Sequence, residues 1–342
     1  MPVTIKDIAR EADVSHSTVS RALNGSPLIP EETAERIRRT AVKLGYLPSA
    51  AARTLRTNRS NALGVIIRNV DDPFFGEILQ GIEEVAGTSG YSLFMAAWQN
   101  DPDRQKVIVQ AMVERRVEGV ILCSTAASAE QTRRFTSFGV PIVVVNNQSA
   151  EEYRYSIYHD DVDGSRQLTR HLVELGHKKI AFLGSASAGR STQDRQSGFV
   201  QELQAAGIPL PAAYIHQVSS GVPADGLQAA HYFLSLKEIP TALVCTNDML
   251  AIGILQGLQK AGVCVPGGMS LTGFDNILFS GFTNPPLTTF DQPKHFIGAR
   301  AAHLLLELLH APGEETVNGK PQVERLKGRL LVRGTTASPA QE

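Results

Sequence analysis

The chain has 342 residues, 42% of them hydrophobic, and 33 Lys+Arg against 34 Asp+Glu give a net charge of −1. That length exceeds one ordinary domain and that apolar content fills two or three cores, so a multidomain globular protein is expected and a disordered or fibrous one is excluded. No apolar run reaches membrane-spanning length, and the charged start "MPVTIKDIAREADV" does not have the make-up of a signal peptide. Cys123, Cys245 and Cys264 stand far apart without metal-ligand spacing. The expectations are therefore a cytoplasmic protein with three buried cysteines and neither disulfide nor metal site.

The charge is unevenly placed. Residues 1–60 hold ten Lys/Arg against six acids, a net of +4, which leaves 23 basic and 28 acidic residues, a net of −5, for the rest. A basic module facing a polyanion and joined to an acidic body fits that asymmetry.

"TIKDIAREA" has Thr4 as N-cap and Asp7 three residues on, then an apolar face of Ile5, Ile8, Ala9 and Ala12, which predicts a first helix over about 5–12. "DVS" makes a turn, and Ser15 caps a second helix. There Val19, Ala22 and Leu23 fall on one side and His16, Ser17, Ser20 and Arg21 on another. "SPLIPEETAERIRRTAVKLGYLP" supplies a third, with Pro30 in its first turn, acids early, bases late and Gly45 as the stop. Two short helices across a tight turn make a helix-turn-helix, and the third closes a small core. Ser and Thr are indifferent helix formers, so their density in the second helix suits a recognition surface better than a purely structural hairpin. His16, Ser17 and Arg21 are expected at bases or phosphates and Thr18 and Ser20 at backbone contacts and helix entry, with Thr4 and Asn24 completing the DNA-facing set.

"SAAARTLRTNRSN", 49–61, is alanine-rich and then basic, and holds one or two helical turns that need a partner to become ordered. "TIKDIAREADVSHSTVSRALNG" followed by "LGYLPSAAARTLRT" resembles the DNA-binding headpiece and hinge of the lactose-repressor/galactose-repressor family of bacterial transcription regulators. The resemblance implies a homodimer on a near-palindromic double-stranded operator. It makes Leu55 a wedge in the minor groove, flanked there by Ala52 and Arg53, with Arg56 reaching the backbone. Ser49 departs from the asparagine common at that place in the family.

From Ala62 on, apolar strand-like runs ("LGVIIRN", "SLFMAA", "GVILCS", "IVVVNN", "KIAFLGS", "YIHQV", "ALVCTN", "SLTGFD") alternate with amphipathic helical patterns ("PFFGEILQGIEEVAGTSG", "DRQKVIVQAMVERR", "SRQLTRHLVELG", "QSGFVQELQAAG", "MLAIGILQGLQKAG"). That alternation predicts two doubly wound parallel-sheet subdomains of about four units each. Ligands of such sheets bind beyond the carboxyl ends of the strands. Those places hold Phe74, Phe75, Asn100, Asn146, Asn147, Asn247, Asp275 and Gln292, with Arg195 in the helical segment after "KIAFLGS". Amides, carboxylates, a guanidinium and aromatic faces suit a small polyhydroxylated molecule.

The body also resembles the family's effector domain and the periplasmic sugar-binding proteins, on "DPFF", "DRQSGF", "TND", "GFD" and "DQP". The resemblance implies a periplasmic-binding-protein-like fold with a small effector, a sugar or sugar derivative, between its halves. Asn146-Asn147 stand where pentose-binding relatives often carry Asp-Arg, which points to a different sugar. The expected organisation is a headpiece over 1–48, a hinge over 49–61 and an effector-binding and dimerisation domain over 62–342, its subdomains being 62–160 plus 293–335, and 161–292. Subunit contact is expected through "FFGEILQGIEEVAG" and "KHFIGARAAHLLLELL"; the tail "RGTTASPAQE" shows no long tetramerisation helix, so a dimer is preferred.

Plainer roles fall to other residues. Asp248 is expected to cap its helix, and Asp160, Asp161 and Asp163 to form a solvated turn and helix start, with Asp160 a weak ligand candidate. The nine histidines suggest no cluster, and Trp98 either walls the pocket or packs. No P-loop, G-x-G-x-x-G or G-x-S-x-G occurs and no cofactor is expected, so the sequence describes a repressor and not an enzyme, with a sugar sensor lacking gene control as the alternative.

Overall fold

A computed structural model describes residues 3–46, 59–99, 101–123, 135–146, 153–310 and 322–340. The chain divides into two compact units, Met1–Ser60 and Asn61–Glu342.

In the first unit α1 (Ile5–Glu11), α2 (His16–Leu23) and α3 (Glu31–Lys43) enclose Ile8, Ala9, Ala12, Val19, Ala22, Ala34, Ile37 and Ala41. Small alanines let three short helices approach closely around two isoleucines and a valine. The local signals act as expected. The Asp7 carboxylate accepts the Thr4 amide at 2.9 Å and the Thr4 hydroxyl at 2.6 Å, and Ser15 Oγ accepts the Thr18 amide at 3.1 Å. Pro30 stands one residue earlier than expected, as the N-cap of α3, and Gly45 ends the helix at φ +69°.

The second unit begins with a six-stranded sheet in the order β11-β5-β4-β3-β1-β2: β1 (Ala62–Ile67), β2 (Ser92–Ala97), β3 (Gly119–Cys123), β4 (Ile142–Val145), β5 (Tyr155–His159) and β11 (Gln322–Leu326). A four-stranded sheet follows in the order β7-β6-β8-β9: β6 (Ile180–Ser185), β7 (Ile215–Val218), β8 (Ala242–Cys245) and β9 (Ser270–Thr272). Every pairing within these two sheets is parallel. β10 (Thr289–Asp291) and β12 (Arg329–Leu331) form a separate antiparallel pair.

Helices cover both faces of each sheet. On the first lie α4 (Phe74–Thr88) and α10 (Lys294–His310) on one side and α5 (Pro102–Glu114) on the other. On the second lie α8 (Pro223–Leu234) and α9 (Asp248–Lys260) opposite α6 (Asp161–Glu174) and α7 (Gly189–Ala205). α4 and α10 meet backbone to backbone: a Cβ at Gly81 would overlap the His295 carbonyl, and one at Gly298 the Ile78 carbonyl. Those faces of both helices are therefore used inside the chain.

Several elements differ from expectation. β5, "YSIYH", is a parallel strand too polar to be recognised by apolar content, and α8 was not anticipated either. α6 and α7 begin earlier than their amphipathic patterns, at Asp161 and Gly189. Cys123 and Cys245 are buried but Cys264, expected inside, is exposed. Trp98 packs into the apolar layer with Ile108, Met112 and Phe135 and does not wall the cavity. Among the described residues no helix is long and apolar enough to cross a membrane.

The chain passes between the large sheets at three neighbouring places: at Asp160, between Asp291 and Lys294, and between Leu326 and Arg329. The passages are bonded to one another, the Asp160 amide to the Leu326 carbonyl at 3.1 Å and Asp291 opposite Arg329 in the antiparallel pair. Arg329 Nε and Asp291 Oδ2 lie 3.2 Å apart.

Candidate functional site

A cleft of about 460 Å³, counting the solvent at its mouth, opens between the two sheets at their carboxyl ends. Arg68, Asp72, Phe74, Phe75 and Asn146 line it from one side, and Ser191, Arg195, Thr246, Asn247 and Asp275 from the other. Six residues expected at a ligand site, Phe74, Phe75, Asn146, Arg195, Asn247 and Asp275, thus meet around one space. Asn100 and Asn147 lie outside the described residues. Gln292 stands behind the wall, donating from Nε2 to Asp275 Oδ1 at 2.5 Å.

Arg195 is the centre of the second wall. Its Nε donates to Asp161 Oδ1 at 2.6 Å, Nη1 donates to the Thr246 carbonyl and lies 3.4 Å from Asp275 Oδ1, and the guanidinium sits 3.7 Å from the centroid of the Phe274 ring. A buried charge needs such partners, because desolvation without them costs several kcal/mol. His159 extends the cluster, with Nε2 2.7 Å from Asp161 Oδ1 and Nδ1 3.2 Å from Asn146 Oδ1.

Asp161 is therefore no solvated turn residue. Burial alone would raise its carboxyl, but the charges of Arg195 and His159 and their hydrogen bonds outweigh that and hold it at about 2. Of the nine histidines His159 is the one buried within this cluster. Asp160 caps α6 by accepting the Asp163 amide at 3.1 Å and does not line the cleft.

Asp275 is held from three directions. Its backbone has φ +113°, a conformation that costs a non-glycine residue about 1–3 kcal/mol and that surrounding structure must impose. Lys294, fully buried, donates from Nζ to the Asp275 carbonyl at 2.6 Å and the Asn276 carbonyl at 2.9 Å, and lies 3.2 Å from Glu77 Oε1 on α4. Asp248 accepts the Ile277 amide at 2.8 Å and the Thr289 hydroxyl at 2.5 Å, so it organises the loop and is not the helix cap. The cap of α9 is Asn247, whose Oδ1 accepts the Leu250 amide at 2.8 Å. Burial pushes Asp275 well above the ordinary carboxylate range, with Arg195 opposing, and pushes Asp248 up to about 7 against the Thr289 and Ile277 hydrogen bonds.

Arg68, Asp72, Ser191 and Thr246 line the cleft without having been singled out in the sequence. The rule that found the others, looking just past each strand, also covers Arg68, which follows β1, and Thr246, which follows β8.

In the first unit His16, Ser17 and Arg21 share the exposed side of α2, with Thr4 and Asn24 also exposed. Thr18 and Ser20 are half-buried, and the hydroxyls of Ser17 and Thr18 each lie 2.8 Å from Ser15 Oγ. Asn24 is the C-cap and donates to the Ser20 carbonyl. Among the described residues Arg21 makes no ion pair, whereas Arg38, Arg39 and Lys43 are paired with Glu31, Glu35 and Glu11. Ala52, Arg53, Leu55 and Arg56 lie outside the described residues.

Two family models match the chain. The bacterial regulatory proteins of the lacI family match residues 4–49, and the periplasmic binding proteins and sugar-binding domain of the LacI family match residues 60–327. The chain belongs to the LacI family of bacterial regulatory proteins. This LacI-family member is 33% identical over 330 residues, 96% of its length and 97% of the relative's, to the HTH-type transcriptional repressor PurR of Actinobacillus pleuropneumoniae serotype 3 (strain JL03). It is 33% identical over 304 residues, 89% and 90% of the two lengths, to the PurR of Haemophilus influenzae (strain PittEE). Its structure is similar to that of a Lac repressor dimer bound to operator and the anti-inducer ONPF, with a TM-score of 0.86 and 26% identity over 98% of this chain and 100% of that one. A LacI family regulator from Enterococcus faecium with bound ribose gives a TM-score of 0.71 at 25% identity, over 81% and 99% of the two chains. As a LacI-family member the chain is a DNA-binding transcriptional repressor under small-molecule control, and not an enzyme.

Proposed function

We propose that the protein is a cytoplasmic homodimer that binds a near-palindromic operator and changes its grip when a sugar or sugar derivative fills the cleft. The observation that carries the reading is the cleft itself, where the Arg195–Asp275 pair faces Phe74 and Phe75 with Asn146 and Asn247 beside them. Carboxylate, guanidinium and amide groups bridge adjacent hydroxyls, and an aromatic face covers the apolar side of a sugar ring. The Enterococcus faecium regulator with ribose and the Lac repressor on its operator support the two halves of the reading.

At the DNA, α2 enters the major groove and His16, Ser17 and Arg21 meet bases or phosphates. Thr18 and Ser20 serve helix entry, and Thr4 and Asn24 lie at the edges of the contact. The headpiece then spans 1–48 and a hinge 49–61, where Leu55 wedges into the minor groove beside Ala52 and Arg53 with Arg56 at the backbone. The effector domain spans 62–342, as 62–160 plus 293–335 and 161–292. A second copy would cover exposed apolar side chains such as Leu278, Phe279, Phe282 and Phe296.

Fluorescence-anisotropy titration of the full chain on operator fragments, repeated with a panel of sugars, tests the reading. One sugar should shift operator affinity about 5- to 150-fold. Asp275→Ala should bind operator like the wild type and ignore that sugar. An unchanged response in Asp275→Ala would take Asp275 out of the ligand site and sink the reading.

A further inference from the structure

The two guanidinium groups at the cleft are not equally held, and this further step rests on the sugar-effector reading above. That of Arg195 is held closely, by Asp161 at 2.6 Å and by the Thr246 carbonyl, with Asp275 3.4 Å away. Arg68 is different. Its Nη1 reaches the Ser187 carbonyl at 3.3 Å and its Nη2 reaches Asp72 Oδ2 at 3.4 Å, both at the far edge of hydrogen-bonding range, and its Nε is buried with no partner. Asp72 meets this guanidinium through Oδ2 alone, its Oδ1 accepting the Phe74 amide at 3.1 Å.

A second polar atom at the cleft is also unused. The hydroxyl of Thr246, a residue only 2% exposed, is buried without a partner. Two helix N-termini border the same space, α7 through Ser191 in its first turn and α9 through its cap Asn247, and each adds partial positive charge.

A neutral polyol donates as often as it accepts. A buried guanidinium N–H without a partner calls for an acceptor, and guanidinium favours carboxylate and phosphate above other acceptors. We propose that the ligand of this cleft is a sugar carrying an anionic oxygen group, carboxylate or phosphate, and that Arg68 is the residue that reads that group. The Arg68 contacts to Ser187 and Asp72 then hold the side chain in place until the anion takes its Nε and an Nη.

Thermal shift and calorimetry on the purified full chain, at constant ionic strength, test this with matched probes: glucose, glucuronate and glucose 6-phosphate, the corresponding galactose set, and inorganic phosphate alone. The expected result is that an acid or a phosphate binds at least tenfold tighter than its neutral parent. Arg68→Ala should lose that preference, a 10- to 100-fold weakening on the order expected for a charge-assisted contact, while Arg68→Lys keeps part of it. Whether the acids or the phosphates respond separates the two anion sources.

A neutral parent binding as tightly as its acid and its phosphate would overturn the proposal and leave the sugar reading standing. Retention of the preference in Arg68→Ala would overturn the role of Arg68. Binding of inorganic phosphate that Arg68→Ala abolishes, without binding of any sugar probe, would support the anion subsite and count against the sugar reading. No response to any probe would overturn both. The wild-type comparison needs no variant, so the test stands even where Arg68→Ala loses stability.

Discussion

The two units of the molecule satisfy their polar groups in opposite ways. In the headpiece the bonds are mostly local: Asp7 to Thr4, Ser15 to Thr18, Arg39 to Glu35, with the Lys43–Glu11 pair the long one. Its pairs are exposed and Arg21 is left open to the outside. In the body the decisive groups are buried and bonded across long stretches of chain, as Arg195 is to Asp161 and Thr246 and as Lys294 is to Asp275. Exposed pairs are worth little and are easily exchanged for an external partner, whereas a buried network is stable only when complete. The headpiece is built to be finished by another molecule, and the body to hold its own cluster at one geometry.

Cutting the two units apart is the largest break of this contrast. Removing residues 1–60 should abolish operator binding, a loss of about a thousandfold or more in anisotropy titrations, while the thermal shift given by the cleft ligand stays intact. Arg195→Ala comes next. It strands Asp161 and Asp275 and should destabilise the body by about 3–5 kcal/mol in chemical denaturation, whereas Arg39→Ala in the headpiece should leave the midpoint unmoved.

The pH dependence sharpens the comparison further. Asp248 has a folded value near 7 against an ordinary 3.8, so the proton it binds favours the folded state; the stability is fully present below about pH 3.8 and lost as pH rises through 7. Asp248→Asn should remove this slope, at most about 4 kcal/mol across the window. Asp161 works oppositely, its contribution being present above 3.8 and lost as pH falls toward 2, and wild-type denaturation series at pH 2–8 should show both limbs. A single slope across the Asp248 window, the same in both proteins, would contradict its burial. Smallest is Ser15→Ala, which removes one exposed cap and should cost about 1 kcal/mol of headpiece stability by thermal melting of the isolated unit.

The same contrast decides what could be read from residue order. Thr4–Asp7 and Ser15–Thr18 lie three residues apart, so the headpiece helices and their caps were legible in the chain. So were the apolar strands, and with them the residues just beyond their ends. β5 was not, because only Ile157 of its three buried residues is apolar, and Ser156 and His159 are polar residues that become interior only when the neighbouring sheet and Asp161 surround them. The helix cap passed from Asp248 to Asn247 for a related reason. Either side chain suits a helix start, and only the arrival of Ile277 and Thr289, 29 and 41 residues away, selects Asp248 for the loop.

The three passages between the sheets have a further meaning. His159 ends one strand at the first passage and Asp161 begins the next helix, while Gln292 and Lys294 lie on the second. These are the residues that grip Arg195 and Asp275. The fixtures of the cavity are thus mounted on the segments that join one sheet to the other. A ligand that displaced Arg195 or Asp275 would act directly on the segments joining the sheets, with no relay through packed side chains needed to reach them.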